Sequence, residues 1–383
     1  MLQILKKDDR YKFIDIGRRL DLNKNINIGS HTIAQNSPVY LVAEMSANHK
    51  MDKKRAKAII DAAAEAGADA VKLQTYTPDT ITVNSAADCF QARGLWQGQS
   101  LYELYSQAYT PWEWQEELME YAKEKGLDCF SSPFDATAVD FLESCHTPAY
   151  KVASFEVNDI PLMKKIAGTG KPVMISTGIA YLEDVDLAVR TCLEQGNENV
   201  ILLKCVSAYP APYDGMNLNV IPNLGQTFDC LTGLSDHSLG DEAAIASVAL
   251  GAKVIEKHLT LKREDGGPDA AFSLEPEEFG RMAESIRKVE AALGRVTYEL
   301  SLQQLESRAL ARSLFVTEDM KAGDIFTEKN LRSIRPGNGL HTKYYEQLLG
   351  RTARCDIQKG SPMRWENLAP DNPDSKRQER KNG

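Results

Sequence analysis

The residues best suited to chemistry fall in two short runs, Gly233-Leu-Ser-Asp-His-Ser238 and Val254-Ile-Glu-Lys-His-Leu259. Each opens as an apolar run expected to be a buried strand and then sets polar groups two residues apart. Side chains alternate along a strand, so Ser235 and His237 share one face and Glu256 and His258 share another. Between them, Asp241 to Lys253 is rich in Ala and Ile at helical spacing, which predicts a strand–helix–strand unit with parallel strands. Neighbouring strands lie about 5 Å apart, so two imidazoles at matching strand ends can reach one ion. A single strand-end histidine is commonly a hydrogen-bonded structural residue. Two in register on successive strands point to a metal site.

The elements that must position this pair recur along the chain. Strands are predicted at 39–46, 70–76, 128–132, 150–154, 173–177, 200–206, 231–237 and 254–259. Helical patterns lie between and after them, over 53–67, 111–126, 136–145, 160–167, 182–196, 218–224, 241–250 and 276–293. Several end on Gly67, Gly126, Gly196 or Gly251, as helix C-termini commonly do. Eight β–α units in about 255 residues match a (β/α)8 TIM barrel better than a doubly wound sheet. The interval 77–110 is long for one loop; with Trp96, Tyr102 and Tyr105 it is suited to covering a substrate. Before the barrel (37–295), residues 1–36 read as a hairpin extension built on Phe13–Ile16 and Ile26–Ile28. After it come a linker (296–307), a small β-rich domain (308–370) and a basic, disordered tail (371–383). The small domain holds a repeat: Gly323 and Gly360 each precede an Asn-Leu pair, Asn330-Leu331 and Asn367-Leu368, at the same offset.

In such a barrel the active site lies at the C-terminal strand ends, where buried parallel strands are otherwise Val, Ile and Leu. Polar residues there are Glu44, Lys72, Gln74, Ser132, Lys151, Ser154, Glu156, Ser176, Thr177, Ser207 and Tyr209, besides the histidine runs. A charge within a strand needs a partner or a job. For Lys72 and Lys151 two readings stand. One is a structural ion pair with Glu44 or Glu256. The other is a cationic pocket for phosphate and carboxylate, completed by Ser154, Thr177-Gly178, Ser207 and Ser235. None of the serines sits in a GxSxG context, which argues against a serine nucleophile.

Composition narrows the field. The 383 residues carry a net charge of −9, which argues against general nucleic-acid binding. The seven cysteines are scattered and odd in number, which fits a reducing, cytoplasmic compartment. Neither an export signal nor a membrane span is expected.

The segments Val42-Ala-Glu-Met-Ser-Ala-Asn-His49, Lys72-Leu-Gln-Thr-Tyr76, Tyr150-Lys-Val-Ala-Ser-Phe-Glu156, Ser176-Thr-Gly178, Leu234-Ser-Asp-His237 and Ile255-Glu-Lys-His258 resemble the sialic acid synthase family. Arg312-Ser-Leu-Phe315 and Arg335-Pro-Gly-Asn-Gly339 resemble its C-terminal antifreeze-like (SAF) domain. Within the family, residues 73–80 and Val206-Ser-Ala-Tyr-Pro-Ala-Pro212 are most similar to pseudaminic acid synthases. Ser207 stands where sialic acid synthases usually carry Asn, which turns the expected acceptor away from a mannosamine.

The resemblance implies condensation of phosphoenolpyruvate with an open-chain amino sugar, 2,4-diacetamido-2,4,6-trideoxy-altrose, giving a nonulosonic acid and phosphate. It implies a divalent metal, Mn2+ preferred over Mg2+ or Co2+, on His237 and His258, polarising the aldehyde. Lys72, Lys151, Ser132, Ser154, Ser207 and Ser235 match positions that hold phosphoenolpyruvate. Glu44, Gln74, Tyr209 and Glu256 would contact sugar or metal, and Ser176, Thr177, Gly178 and Asp236 fall in the matching motifs. Glu156 would handle the proton of the attacking water. Arg312 matches an arginine that one subunit inserts into its partner's barrel in a domain-swapped homodimer. Alternatives are a neuraminate or legionaminate synthase, a Schiff-base aldolase using Lys151, and a sugar-binding protein with an inert barrel.

Overall fold

The computed structural model describes residues 22–370. The expected disordered tail and the Phe13–Ile16 run lie outside these residues. The expected N-terminal hairpin is present, with Asn25–Ile28 (β1) paired antiparallel to His31–Ala34 (β2). The turn between them passes so close to Asp128 that a Cβ on Gly29 would lie 2.0 Å from a carboxylate oxygen, and Gly29 adopts φ +53°.

The next eight strands close into a parallel barrel. They are β3 (Tyr40–Glu44), β4 (Ala70–Thr75), β5 (Asp128–Pro133), β6 (Tyr150–Val152), β7 (Val173–Ser176), β8 (Val200–Cys205), β9 (Leu231–Asp236) and β10 (Val254–His258). All but β5, which runs one residue further, end one or two residues before the sequence-based limit, so Ser154, Glu156, Thr177 and His237 stand just past their strands. Outward side chains such as Leu41, Val71, Val152, Ile175, Leu202, Leu234 and Ile255 pack under the helices. Inward ones change character with height. The lower layer (Val42, Ala70, Phe130, Met174, Ile201, Leu203, Leu231 and Val254) forms one apolar cluster with Ile26, Ile28 and Ile33 of the hairpin. The hairpin thus seals the apolar bottom, and polar side chains collect at the top. Burying apolar surface on both faces of every strand supplies the drive to close the barrel.

The chain divides into two units, residues 1–294 and 295–383. The expected linker contains an exposed helix, Leu302–Arg308, because Ser301 and Gln304 form a capping box. In the second unit Ser313–Val316 (β11) pairs antiparallel with Leu331–Ile334 (β12). The internal repeat has a structural cause. Gly323 and Gly360 both adopt positive φ. Asn330 and Asn367 each accept a backbone N–H three residues back, at 2.7 and 2.8 Å. Leu331 and Leu368 are both buried in the unit's core.

Candidate active site

At the top of the barrel lies a cavity of about 730 Å3 lined by side chains from all eight strands or the segments that follow them. Register places the groups. Glu44 pairs laterally with Lys72 on β4 and with His258 on β10, and Glu256 pairs with Ser235 on β9. The result is a hydrogen-bonded belt. Gln74 donates to Glu44 at 2.9 Å and to Ser46 at 3.0 Å, and Ser235 donates to Glu256 at 2.9 Å. Lys72 lies 3.0 Å from Glu44 and 3.3 Å from Glu256, and reaches Ser132 at 3.4 Å. Lys151 is 3.9 Å from Glu256 and donates to its neighbour's carbonyl, Val152 O, at 3.1 Å. The structural ion pair is therefore present, and both lysines also line the cavity.

Burial sets the proton affinities. It pushes the Glu44 carboxyl up to about 7, against the pull of Lys72 and with a push from Glu256. Glu156 is likewise raised to about 7 by burial, and its Oε2 takes no hydrogen bond. Burial would raise Glu256 too, but Lys151 and Lys72 more than offset it and hold it below the usual carboxylate range. Burial lowers Lys151. A ligand bringing negative charge to this floor would meet one partly compensated ammonium and two carboxyls that readily carry protons.

The two imidazoles face each other with ring centroids 5.2 Å apart. Phe272 packs on His258 at 4.9 Å and Tyr209 on His237 at 4.6 Å. Burial, then the charges of His237 and the lysines, drive His258 well below the ordinary histidine range, so this ring is neutral. Its buried Nδ1 makes no hydrogen bond. His237 Nδ1 lies 3.1 Å from the Val206 carbonyl and 3.7 Å from Cys205 Sγ, which leaves Nε2 as its remaining ligand atom. A neutral imidazole with an orphaned nitrogen beside a second ring held by its other nitrogen fits a divalent transition ion. Among the described residues no group of three or more His, Cys, Asp or Glu could hold a metal. Such a two-imidazole site leaves coordination positions for water and ligand.

Of the expected residues, Glu44, Lys72, Gln74, Lys151, Ser154, Glu156, Ser176, Tyr209, Ser235, His237, Glu256 and His258 line the cavity. Ser132 joins through Lys72. Gly178 and Ser207 pack beneath Ser154: the Gly178 N–H donates to Ser154 Oγ at 3.0 Å, and a Cβ there would meet Ser207 Oγ at 2.3 Å. The Thr177 hydroxyl turns away and donates to Leu203 O. Asp236 is a correction. Alternation sends it to the face opposite Ser235 and His237, where Lys257 binds it at 2.7 Å, so it is not placed to touch a ligand in the cavity. Arg312 lies in the second unit, exposed, donating to Ser333 O at 2.7 Å.

Four contributors escaped sequence reasoning. Asp269, its carboxyl raised by burial, accepts from Ser46 and lines the cavity. Phe272 and Cys205 flank the histidines. Phe155, between Ser154 and Glu156, also lines the wall. A signal for Asp269 existed: it follows a Gly-Gly-Pro turn in the segment after β10, at the barrel's active end. From the expected covering segment, Trp96 donates to Pro268 O at 2.9 Å and lies 5.5 Å from Tyr209. Tyr105 lines the cavity, whereas Tyr102 turns outward to Asp79.

Comparison with known proteins gives two family matches: NeuB family over residues 59–298 and SAF domain over 311–369. The pseudaminic acid synthase of Campylobacter jejuni (strain 81-176) is 45% identical over 327 residues, covering 85% of this chain and 95% of that protein. The N,N'-diacetyllegionaminic acid synthase of Campylobacter jejuni (NCTC 11168) is 34% identical, covering 85% of this chain and 98% of its own. Among solved structures, the spore coat polysaccharide biosynthesis protein SpsE of Bacillus subtilis superposes with a TM-score of 0.62 at 35% identity, covering 91% of this chain and 100% of that one.

Proposed function

The chain belongs to the NeuB family, and from that membership we propose that it catalyses the pseudaminic acid synthase reaction. Phosphoenolpyruvate and open-chain 2,4-diacetamido-2,4,6-trideoxy-altrose, with water, give a nonulosonic acid and phosphate. The observation that carries this reading is the 45% identity to a pseudaminic acid synthase across nearly its whole length. The cavity supports it: Lys72 and Lys151 offer cations, and Ser154 and Ser235 hydroxyls, to an enol phosphate.

In this reading the enol C3 joins the aldehyde carbon, whose C=O π bond opens to a hydroxyl by taking up a proton, and a water oxygen adds at C2. The proton of that water passes to Glu156, whose raised affinity suits a base near neutral pH. The C2–O bond to phosphate then breaks as the C2 hydroxyl becomes the ketone, its proton leaves on the phosphate, and the lysines hold the leaving dianion. His237 and His258 would hold a divalent cation, Mn2+ preferred, supplying Lewis-acid polarisation of the aldehyde. Glu44, Gln74, Glu256 and Tyr209 orient the acceptor. We place the reaction in the cytoplasm, in a homodimer where Arg312 of one protomer reaches the acceptor in its partner's barrel. Among the described residues no helix is long and apolar enough to cross a membrane.

Phosphate release with phosphoenolpyruvate and Mn2+ over a panel of amino sugars tests the proposal. The diacetamido-trideoxy-altrose should give the highest kcat/KM. A clear preference for N-acetylmannosamine or for the legionaminate precursor would move the chain to another branch of the family. Borohydride trapping of Lys151 with pyruvate would replace the proposal with a Schiff-base aldolase.

A further inference from the structure

The β9–β10 ladder ends at the pair Asp236–Lys257, one residue short of His237. Beyond it the His237 carbonyl accepts the Ala211 N–H at 2.9 Å, but no strand pairing fixes this backbone relative to β10 and His258. Side chains take over at that point. Lys257 Nζ donates to Asp236 Oδ2 at 2.7 Å and to the Ser238 carbonyl at 2.6 Å. Asp236 Oδ1 accepts the Ser238 N–H at 2.8 Å. The two charges have 0% side-chain exposure, and Ser238 is also buried. They thus grip the residue that follows His237 by both its backbone polar groups. Each charge immediately precedes one of the histidines, so alternation turns them to the face opposite the imidazoles.

We propose that Asp236 and Lys257 are positioning residues that lock His237 at cation-binding distance from His258. A buried ion pair is no better for stability than a well-packed apolar pair, whereas its directional bonds to Ser238 tie this backbone to β10 where the β9–β10 ladder has stopped. This inference rests on the reading of His237 and His258 as cation ligands.

The test is Mn2+ affinity, read by the electron paramagnetic resonance of free Mn2+, in wild type and in the D236L/K257M double variant. Thermal unfolding and phosphoenolpyruvate binding without metal are read in parallel. The apolar pair should leave the unfolding temperature and phosphoenolpyruvate affinity near wild type while weakening Mn2+ at least about tenfold, as loss of supporting contacts behind a metal ligand does. Should the double variant fail to fold, Lys257→Arg is read by the same criterion, since its larger planar head cannot bridge Asp236 and Ser238 as one ammonium does. Unchanged Mn2+ affinity in a folded variant overturns the lock and leaves the cation site standing. A wild-type protein that binds no Mn2+ overturns both.

Discussion

At the residue scale the account turns on carboxyls held near neutrality in a crowded polar layer. Glu156 is raised to about 7 by burial, so it carries a proton below that value and is ionised above it. A base must be ionised to accept a proton, so kcat should fall as pH drops through about 7. Glu44 has a similar affinity, which makes substitution the way to separate the two. Glu156→Gln should lower kcat by about a hundredfold or more, the usual size of a lost general base, and abolish the acidic limb of its pH profile. Glu44→Gln should keep that limb. Steady-state phosphate release from pH 5.5 to 9 decides it, and an acidic limb intact in Glu156→Gln would remove Glu156 from the role. Residue types gave much of this layer away beforehand. Lys72, Lys151 and Glu256 are conspicuous because an unpaired charge in a parallel strand is costly. Phe272 was hidden because it belongs to an irregular segment with no period to read, in which only the turn before Asp269 gives a signal.

At the element scale, alternation carried most of the information and also marked its limit. It put Ser235, His237, Glu256 and His258 on inward faces, and the cavity lining agrees. The same rule would have turned Asp236 outward; a motif match had drawn it into the site instead. All strands but β5 stop one or two residues short of the hydrophobic pattern, because that pattern continues where ladder bonding stops. That difference matters chemically, since it leaves His237 beyond the ladder and in need of the Asp236–Lys257 grip on Ser238. The hairpin was legible as a type, from short alternating runs. Its role as the plug of the barrel floor was not, because Ile26, Ile28 and Ile33 meet their partners only once the barrel has closed.

At the scale of the whole molecule, the barrel followed from counting β–α units, and the second unit from its Gly and Asn-Leu repeat. The proposed exchange of Arg312 between protomers has a direct test in mixed dimers. Equal amounts of Arg312→Ala and His258→Ala chains, each inactive alone, should regain roughly a quarter of wild-type activity after subunit exchange, because half the dimers then hold one intact site of two. No recovery in a mixture proven to exchange would place Arg312 in its own chain's site or outside catalysis. The central claim is that β9 and β10 together present two imidazoles to one divalent cation above a cationic floor. Equilibrium Mn2+ binding to wild type, His237→Ala and His258→Ala, with the fold of each verified by circular dichroism, tests it most directly. The account predicts a single site per chain in wild type and its loss in both folded variants; Mn2+ bound as tightly by either variant as by wild type would contradict it.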